Sequence, residues 1–351
     1  MENTPAIWNM PAGIPPPGVI PNFENPVTRV SMINISAAVC LPLIIIFASF
    51  RLYARAFIVR RKSWDDLACL LGFIGGCSYI SLTLAVVHLG AYGRHEWDYK
   101  LGDLTKELIR LTLANEVLYG PFIWFIKVTL LLLFLEIFGQ LRWLRWLVYS
   151  GMCLTGLFYL STAIAYLVLC APKNQTHIEL LTAISSTKCQ KQGQPLSIVI
   201  GSFNLASDLY ILCLPLPAVW SLQMAKRRKI GISAIFSSAI AAVISSILTI
   251  VFRTRLSRSR DQTWDIVPLW VVTIIEITAG FMVTCMPSMP TVYHHTQARW
   301  HQAFSTTLQK LRSRNTSQKT DAIDNSSQVE LRQVDSDRSN YKIVDYTHHH
   351  V

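Results

Sequence analysis

The sequence predicts an all-α fold, a polytopic membrane protein built as a bundle of seven transmembrane helices, on three observations. The 351-residue chain is 51% hydrophobic but only 15% charged, against roughly 25% charged residues in ordinary soluble domains. Its mean hydropathy is +0.35 although its C-terminal end is polar. Seven apolar stretches of about 20 residues can each cross the hydrocarbon of a bilayer, where only a helix satisfies the backbone polar groups of a single segment. These stretches are residues 30–50, 66–87, 113–138, 147–169, 196–219, 232–251 and 266–286.

The basic charge of the chain indicates a membrane partner rather than nucleic acid. The formal net charge is +11, but Lys and Arg lie in short clusters between apolar runs rather than along one polar face. We therefore expect membrane lipid as a partner and no nucleic acid, while the oligomeric state stays open. The eight cysteines are too sparse for a disulfide scaffold and form no C-x-x-C motif, so no metal is expected.

Three further segments flank the membrane domain, which we place at residues 30–290. Residues 1–29 hold seven of the sixteen prolines and are expected to form an extended N-terminal segment. Residues 291–312 carry large apolar side chains at helical spacing, which predicts an amphipathic helix lying in the membrane plane. Residues 313–351 are rich in polar side chains, which predicts a disordered cytoplasmic tail.

The charge density between the helices predicts the orientation. The first, third and fifth loops carry Lys and Arg in compact clusters, which are typical of cytoplasmic loops. The fourth loop then lies outside, where Asn174 begins a glycosylation sequence and Cys170 and Cys189 can form a disulfide. The alternative is a cytosolic loop with two reduced thiols. We predict a multi-pass protein of the plasma membrane or an endomembrane, with its N-terminus outside and its C-terminus cytoplasmic.

Charged residues within the apolar stretches are the main functional candidates. A charged group at the centre of a membrane costs at least ~2.5 kcal/mol on insertion scales. Lys127, Asp208 and Glu276 lie on the third, fifth and seventh helices at similar distances from the helix starts, so their depths coincide near the midplane. Two acids and one base at one level predict an inward-facing network in which one carboxyl is protonated or has another donor.

Further polar residues extend this pattern along the helices. Glu116 lies eleven residues before Lys127, close to three turns, so the two occupy one face of the third helix. Asn204 lies one turn before Asp208, and Arg253 lies near the end of the sixth helix, at the depth of Glu116. These residues predict either a ligand or proton site, or a set of contacts that fixes the register of the helices.

The loop after the second predicted helix contains a candidate acid–base residue, His95. Gly90 and Gly93 permit a tight turn that would place His95 over the end of the bundle. A catalytic corner or a lid is one interpretation. A solvated turn is the more common one, because a single histidine needs an identified partner for catalysis.

Several short motifs occur in a fixed order between residues 30 and 290. They are residues 50–55, 64–66 and 90–98, Lys127 with the leucine-rich run to Gly139, Cys170 with Cys189, residues 204–208 and 214–217, Arg253, and Glu276 with Cys285, Pro287 and Pro290. Together they resemble the fungal rhodopsin-domain family of integral membrane proteins, of the SAT4 type, which is similar to Pth11-like receptors. The chain departs from the family pattern at Glu136, where a basic residue is usual, and at Ser288 and Met289, where an Arg is usual.

The resemblance implies a seven-helix membrane protein that serves a fungal secondary-metabolite pathway without an assigned activity. No retinal cofactor is expected, because a microbial-type retinal protein needs a lysine on its last helix and residues 266–286 contain none. Two mechanisms compete. One is a receptor or sensor of a small lipophilic metabolite. The other is a membrane enzyme that uses Glu116, Asp208 or Glu276 for proton transfer, while a transporter is disfavoured because the chain has no visible internal repeat.

Overall fold

Seven long helices follow one another along the part of the chain that a computed structural model describes. The described residues are 8–59, 64–170, 187–217 and 226–286, together with 288–289, 292–293 and 296–297. The predicted all-α, seven-helix fold is confirmed. The helices are α1 Val30–Tyr53, α2 Trp64–His88, α3 Lys106–Phe138, α4 Arg142–Cys170, α5 Thr187–Cys213, α6 Lys226–Leu256 and α7 Gln262–Cys285.

Six of these helices, all except α6, are long and apolar enough to cross a membrane by length and composition. Helix α6 has 31 residues and begins with the basic run Lys-Arg-Arg-Lys. It packs between α5 and α7 and completes the bundle. Many large apolar side chains point away from the protein interior, as on a surface that faces lipid; Ile35, Leu154 and Val168 are 65%, 63% and 77% exposed.

Helix α3 begins earlier than the apolar pattern predicts. Its first residue is Lys106 rather than residue 113, because Thr105 accepts a hydrogen bond from the Leu108 backbone N–H at 3.2 Å and starts the helix within a polar turn. A hydropathy pattern misses such a turn. With 33 residues the helix is about 50 Å long, so it exceeds the roughly 30 Å of bilayer hydrocarbon.

The helices form a closed ring in which each contacts its neighbours in sequence and α7 contacts α1. Helices α3 and α7 also contact each other across the centre. Small residues allow the closest approaches. A Cβ atom at Gly75 of α2 would lie 2.7 Å from Phe122 of α3, and one at Gly151 of α4 would lie 2.8 Å from Tyr210 of α5.

The N-terminal segment lies against the loop between α2 and α3, and we call these two segments, residues 10–29 and 89–105, the loop cap. Gly93 has a φ of +87°, which favours glycine, and its N–H donates to the Thr263 carbonyl of α7 at 3.0 Å. Backbone hydrogen bonds to the α2–α3 loop hold the N-terminal segment in place. The pairs are Ala12 N with Tyr99 O, Gly13 N with Glu96 O, and Leu101 N with Met10 O, at 2.8 to 3.0 Å.

A disulfide joins Cys170 at the end of α4 to Cys189 near the start of α5, with the two Cα atoms 5.0 Å apart. Asn174 lies outside the described residues. The same is true of the predicted tail 313–351 and of most of the predicted in-plane helix 291–312. Glycosylation and these two segments stay predictions.

Candidate functional site

The Lys127 side chain of α3 is buried in the bundle and makes three contacts to α5. It is 4% exposed. Its ammonium forms an ion pair with the Asp208 carboxylate. It also donates to Ser207 Oγ at 2.8 Å and to the Asn204 carbonyl oxygen at 3.2 Å. An ammonium has three N–H groups, so Lys127 is fully hydrogen-bonded.

The Glu276 carboxyl group of α7 lies in the same region and contacts α5 and α6. It is 4% exposed. Its Oε1 accepts from the Asn204 amide and lies 2.9 Å from Ser246 Oγ. Its Oε2 lies 3.1 Å from Thr249 Oγ1. Glu276 and Lys127 are thus linked through α5 rather than by a direct ion pair among the described contacts.

Asn204 of α5 connects these groups. Its side-chain amide donates to Glu276 and to Ser246 Oγ, the latter at 3.2 Å, and its Oδ1 accepts from the Tyr159 hydroxyl of α4 at 2.9 Å. Asn204 is fully buried. We call the whole set the midplane network, which joins five helices through Lys127, Tyr159, Asn204, Ser207, Asp208, Ser246, Thr249 and Glu276.

The two hydroxyl groups of α6 have more neighbouring acceptors than hydrogens. Ser246 Oγ lies within hydrogen-bond distance of both Asp208 Oδ2 and Glu276 Oε1. Thr249 Oγ1 lies near both the Ser245 carbonyl oxygen, at 3.0 Å, and Glu276 Oε2. Each hydroxyl has one hydrogen to donate. If both carboxyl groups are ionised, the two hydroxyl hydrogens can satisfy only two of these four contacts.

A small cavity adjoins the midplane network. Its volume is about 40 Å³, and Lys127, Asp208 and Glu276 line it together with apolar side chains of α3, α5, α6 and α7. At about 10–15 Å³ for each water, it has room for about three water molecules. An organic substrate does not fit beside these carboxyl groups in this conformation.

A second polar cluster lies nearer the loop cap, about 12 Å from Lys127 along α3. Arg253 of α6 is buried, donates to the Ser197 hydroxyl and carbonyl oxygens, and lies over the Tyr119 ring with 5.3 Å to its centroid. Glu116 is close enough to Arg253 to interact electrostatically. Among the described side chains, however, the two do not form a direct ion pair.

Four buried donors around this cluster have no acceptor in good hydrogen-bond geometry among the described residues, although Trp270 lies near the Glu116 carboxyl group and Asn115 lies near the Tyr79 hydroxyl. The atoms are Asn115 Nδ2, Tyr119 OH, Arg253 Nε and Trp270 Nε1, and each of these residues is at most 5% exposed. An unpaired buried donor costs about 1–3 kcal/mol. Such a group of donors is typical of a site that water or a ligand with acceptor oxygens occupies.

His95 lies in the loop cap and contacts neither the midplane network nor the second cluster in the described part of the chain. Its ring stacks between Trp97 and Trp264, with centroid distances of 4.6 and 4.0 Å, and its Nδ1 is bonded to the Asp261 carboxylate. The expectation of a solvated turn is therefore wrong. The partner, Asp261, lies 166 residues away in sequence, so no local pattern could have identified it.

Glu96, beside His95, fixes the loop cap to the start of α7. Its Oε1 accepts from the Gln262 backbone N–H at 2.9 Å, and its own N–H donates to Asp261 Oδ1 at 3.2 Å. Burial raises the pKa of the Glu96 carboxyl group, the N–H of Gln262 lowers it, and the neighbouring Asp261 carboxylate raises it again. Together with the His95 contacts, these hydrogen bonds connect the loop cap to the start of α7.

A third set of charged residues lies at the end of the bundle opposite to the loop cap. We call it the arginine cluster, and it consists of Arg51, Arg55, Asp65, Asp66 and Glu136. Arg51 donates to Asp65 and to the Thr284 carbonyl oxygen of α7. Arg55 lies in a π-helical turn, Ala54–Val59, that continues α1. It contacts Asp65 at 2.9 Å, Asp66 at 3.2 Å and Glu136 at 3.0 Å. Glu136, where the family pattern has a basic residue, thus pairs with Arg55 of the same chain.

The sequence-based prediction missed the hydroxyl groups of α6. Isolated Ser and Thr residues in an apolar helix give no signal, because they often bond to their own backbone. Ser246, Thr249 and Arg253 are three and four residues apart, however, so they occupy one helix face. That stripe was visible in the sequence.

Comparison with known families identifies the family of the chain. The model of the fungal rhodopsin domain matches residues 50–295. The chain belongs to the fungal rhodopsin domain family. This match confirms the family that the motifs predicted, and the fungal rhodopsin domain contains every residue of the midplane network. No solved structure gives a significant match.

Relatives of this fungal rhodopsin domain protein occur in three organisms. It is 30% identical to a SAT4 family membrane protein of Emericella nidulans over 68% of this chain and 56% of the relative. It is 21% identical to fugralins biosynthesis cluster protein 2 of Gibberella zeae over 82% and 71%. It is 24% identical to receptor GIN3 of Arthrobotrys oligospora over 66% and 54%. The chain thus spans about half the length of two of these relatives, and it is a multi-pass membrane protein.

Proposed function

We propose that this chain is a seven-helix receptor for a small lipophilic molecule of a secondary-metabolite pathway. The observation that carries the proposal is the set of four buried donors in the second polar cluster that have no acceptor in good hydrogen-bond geometry among the described residues. A ligand with acceptor oxygens would pair with them, and each buried donor that gains a partner avoids a cost of about 1–3 kcal/mol. The names of two relatives, a receptor and a biosynthesis cluster protein, support the same context.

The midplane network would be the switch of this receptor. Arg253 lies one turn from Thr249 on α6, and Trp270 lies less than two turns from Glu276 on α7. A ligand that draws these helices together would change the contact between Thr249 and Glu276. A ligand shifts a conformational equilibrium only by binding the two states differently. Here the buried donors would be paired in the ligand-bound state and would lack acceptors in the free state.

We assign one proton of the network to Glu276. Asp208 pairs directly with Lys127 and is therefore the ionised acid. A proton on Glu276 can be donated to Thr249 or to Ser246, and either arrangement reduces the shortage of hydrogens from two to one. Lys127 and Asp208 then balance each other in charge, so the network is neutral as a whole, which a low-dielectric site favours.

The enzyme alternative has less support. The carboxyl groups of the midplane network adjoin a cavity of about 40 Å³, which admits water but no organic substrate. His95 has an acid partner in Asp261, but tryptophan rings cover both faces of its imidazole. Neither group has the open space beside it that general acid–base catalysis on a metabolite requires.

We further propose that the N-terminus and the loop cap lie outside and the arginine cluster lies on the cytoplasmic side. The disulfide at the α4–α5 connection is compatible with an oxidising compartment. Treatment with a glycosidase should then increase the gel mobility of the wild-type chain and leave Asn174→Gln unchanged. A reporter that is active only in the cytoplasm should be active at the C-terminus and inactive at the N-terminus; the reverse pattern would reject this orientation.

A deletion strain of the source organism tests the receptor proposal. It is complemented with the wild type, with Asp208→Asn, or with Ser202→Ala, a control on the exposed side of α5, all at equal membrane level. A receptor predicts that Asp208→Asn reproduces the transcriptional change of the deletion, that Ser202→Ala does not, and that no pathway intermediate accumulates. Accumulation of an intermediate that the purified protein converts would establish the enzyme, and an unchanged transcriptome in the deletion would reject the receptor.

A further inference from the structure

A crevice of about 500 Å³ lies between α1, α2 and α7, away from the midplane network. Its walls are apolar, and several of its side chains are strongly exposed on the membrane-facing side; Ile45, Leu52 and Leu70 are 45%, 69% and 52% exposed. Pockets of 300–1,000 Å³ are typical of small-molecule sites. The apolar walls consist of Ile45, Ala48, Leu52, Leu70, Phe73 and Phe281.

One end of the crevice is polar, because Arg51, Arg55 and Asp66 of the arginine cluster line it. The Arg51 residue is 3% exposed, and its Nη1 and Nη2 atoms donate to Thr284 and Asp65. Its Nε has no acceptor among the described residues. The polar end therefore offers a single buried N–H donor, Arg51 Nε, that lacks an acceptor among the described residues.

A second unpaired atom belongs to the partner of Arg51. Asp65 Oδ2 accepts from both arginines, whereas Asp65 Oδ1, in a residue that is 2% exposed, accepts from no described donor. One hydroxyl group both accepts and donates a hydrogen bond. Arg51 lines the crevice whereas Asp65 does not, so the hydroxyl oxygen of an occupant can accept from the lone donor of Arg51.

The same geometry disfavours an anionic head group. A carboxylate or phosphate binds arginine best through two parallel N–H bonds. Arg55 has no such pair to offer, because its Nε, Nη1 and Nη2 contact Asp66, Glu136 and Asp65. The described cluster also holds three carboxylates against two guanidinium groups, so a further negative charge would be repelled.

We infer that this crevice binds one neutral lipophilic alcohol, whose hydroxyl pairs with Arg51 and whose apolar body lies between α1 and α2. The alcohol enters from the bilayer through the exposed side of the crevice. The π-helical turn that carries Arg55 and Ala56 widens the end of α1 at this point, as such turns often do at functional sites. This site is separate from the proposed receptor switch and does not depend on it.

Photolabelling of the full-length protein in lipid nanodiscs tests the inference. The probes are a fatty alcohol and the fatty acid of the same chain length, each with a diazirine at the same carbon. We expect the alcohol to label peptides that contain Leu52, Leu70 or Phe73 about tenfold more than the acid does, the factor expected of one hydrogen bond to a charged group. Equal labelling by both probes would mean unspecific bilayer contact and would overturn the inference.

Variants make the test specific to the crevice. Ala48→Phe fills the crevice and should abolish the excess labelling by the alcohol, whereas Ala38→Phe, on the exposed side of the same helix, should retain it. Leu52→Trp, at a position that is already exposed, is the second filling variant if Ala48→Phe does not fold. Unchanged labelling in a folded filling variant would exclude this crevice as the site.

Two further outcomes decide the nature of the occupant. Glu136→Gln removes one carboxylate and releases Arg55, so labelling by the fatty acid should rise toward that by the alcohol. A photoreactive amino acid at position 70 should crosslink to the added alcohol. If it crosslinks instead to peptides from residues 292–351, the chain fills the crevice itself and the inference is wrong. The receptor proposal would stand in either case.

Discussion

The midplane network and the arginine cluster both contain one more acid than base, but they satisfy their charges differently. In the arginine cluster, guanidinium groups contact carboxylates directly, as between Arg55 and Glu136, and such forked contacts hold a fixed geometry. In the midplane network, Asn204, Ser246 and Thr249 stand between Lys127 and Glu276. Hydroxyl groups can rotate and exchange donor and acceptor roles. The comparison indicates that the arginine cluster fastens helices, whereas the midplane network can change state.

The largest effect is expected where the midplane network loses its single base. Lys127→Met leaves Asp208 and Glu276 without a cation, and removal of one partner of a buried ion pair costs about 3–5 kcal/mol. We expect a large fall in the melting temperature of the purified protein in detergent. Tryptophan fluorescence during heating measures this temperature.

The double variant Lys127→Met/Asp208→Asn separates the loss of pairing from the loss of packing. It removes both members of the pair, so it should recover at least half of the lost stability. If Lys127→Met alone leaves the melting temperature and the membrane level unchanged, the ion pair does not stabilise the bundle and the contrast between the two regions fails.

A smaller loss is expected in the arginine cluster. Asp65→Asn keeps the shape of the side chain but removes the charge that both Arg51 and Arg55 contact. Because Arg55 retains Asp66 and Glu136, we expect a loss of about 1.5–3 kcal/mol, the range for hydrogen bonds to charged groups. Urea unfolding of the purified protein measures it, and Asp103→Asn on the exposed loop is the control. A loss greater than that of Lys127→Met would contradict the comparison.

These two regions also differ in how far the sequence predicts them. Lys127, Asp208 and Glu276 are charges in apolar stretches, and helix length alone places them at one depth. The arginine cluster lies at helix ends, where charges are ordinary, so nothing marks Arg51 or Asp65 as buried partners. The pairing of His95 with Asp261 was equally hidden, because it joins a loop to the start of α7. Depth along a helix follows from sequence, whereas the rotation of one helix against another follows from packing.

The proton that we assign to Glu276 predicts a third result. Glu276→Gln has the shape and hydrogen-bonding groups of a protonated carboxyl, so it should change stability by less than about 1 kcal/mol. Infrared difference spectra should show the C=O band of a protonated carboxyl in the wild type and lose it in Glu276→Gln. Tyr210→Phe, remote from Glu276 on α5, should retain the band. A wild-type band that survives Glu276→Gln would place the proton elsewhere.

The smallest effect is expected in the loop cap, where charge is not enclosed by helices. Burial raises the pKa of Glu96, so the folded protein favours its protonated form. The carboxyl group therefore contributes stability at pH values below its ordinary pKa, and this contribution is lost as the pH rises through the raised pKa. Glu96→Gln keeps an acceptor for the Gln262 N–H and removes this ionisation. Its melting temperature at neutral pH should exceed that of the wild type by about 1 °C.

The pH profile distinguishes this effect from a change in packing. Between mildly acidic and neutral pH, the melting temperature of the wild type should fall relative to that of Glu96→Gln, because only the wild type has to ionise Glu96 beside Asp261. Glu107→Gln, an exposed residue at the start of α3, controls for the loss of one carboxylate. Parallel profiles for the wild type and Glu96→Gln would show that the loop cap does not respond to pH through this residue. Proton-dependent stability would then be expected of the midplane network but not of the loop cap.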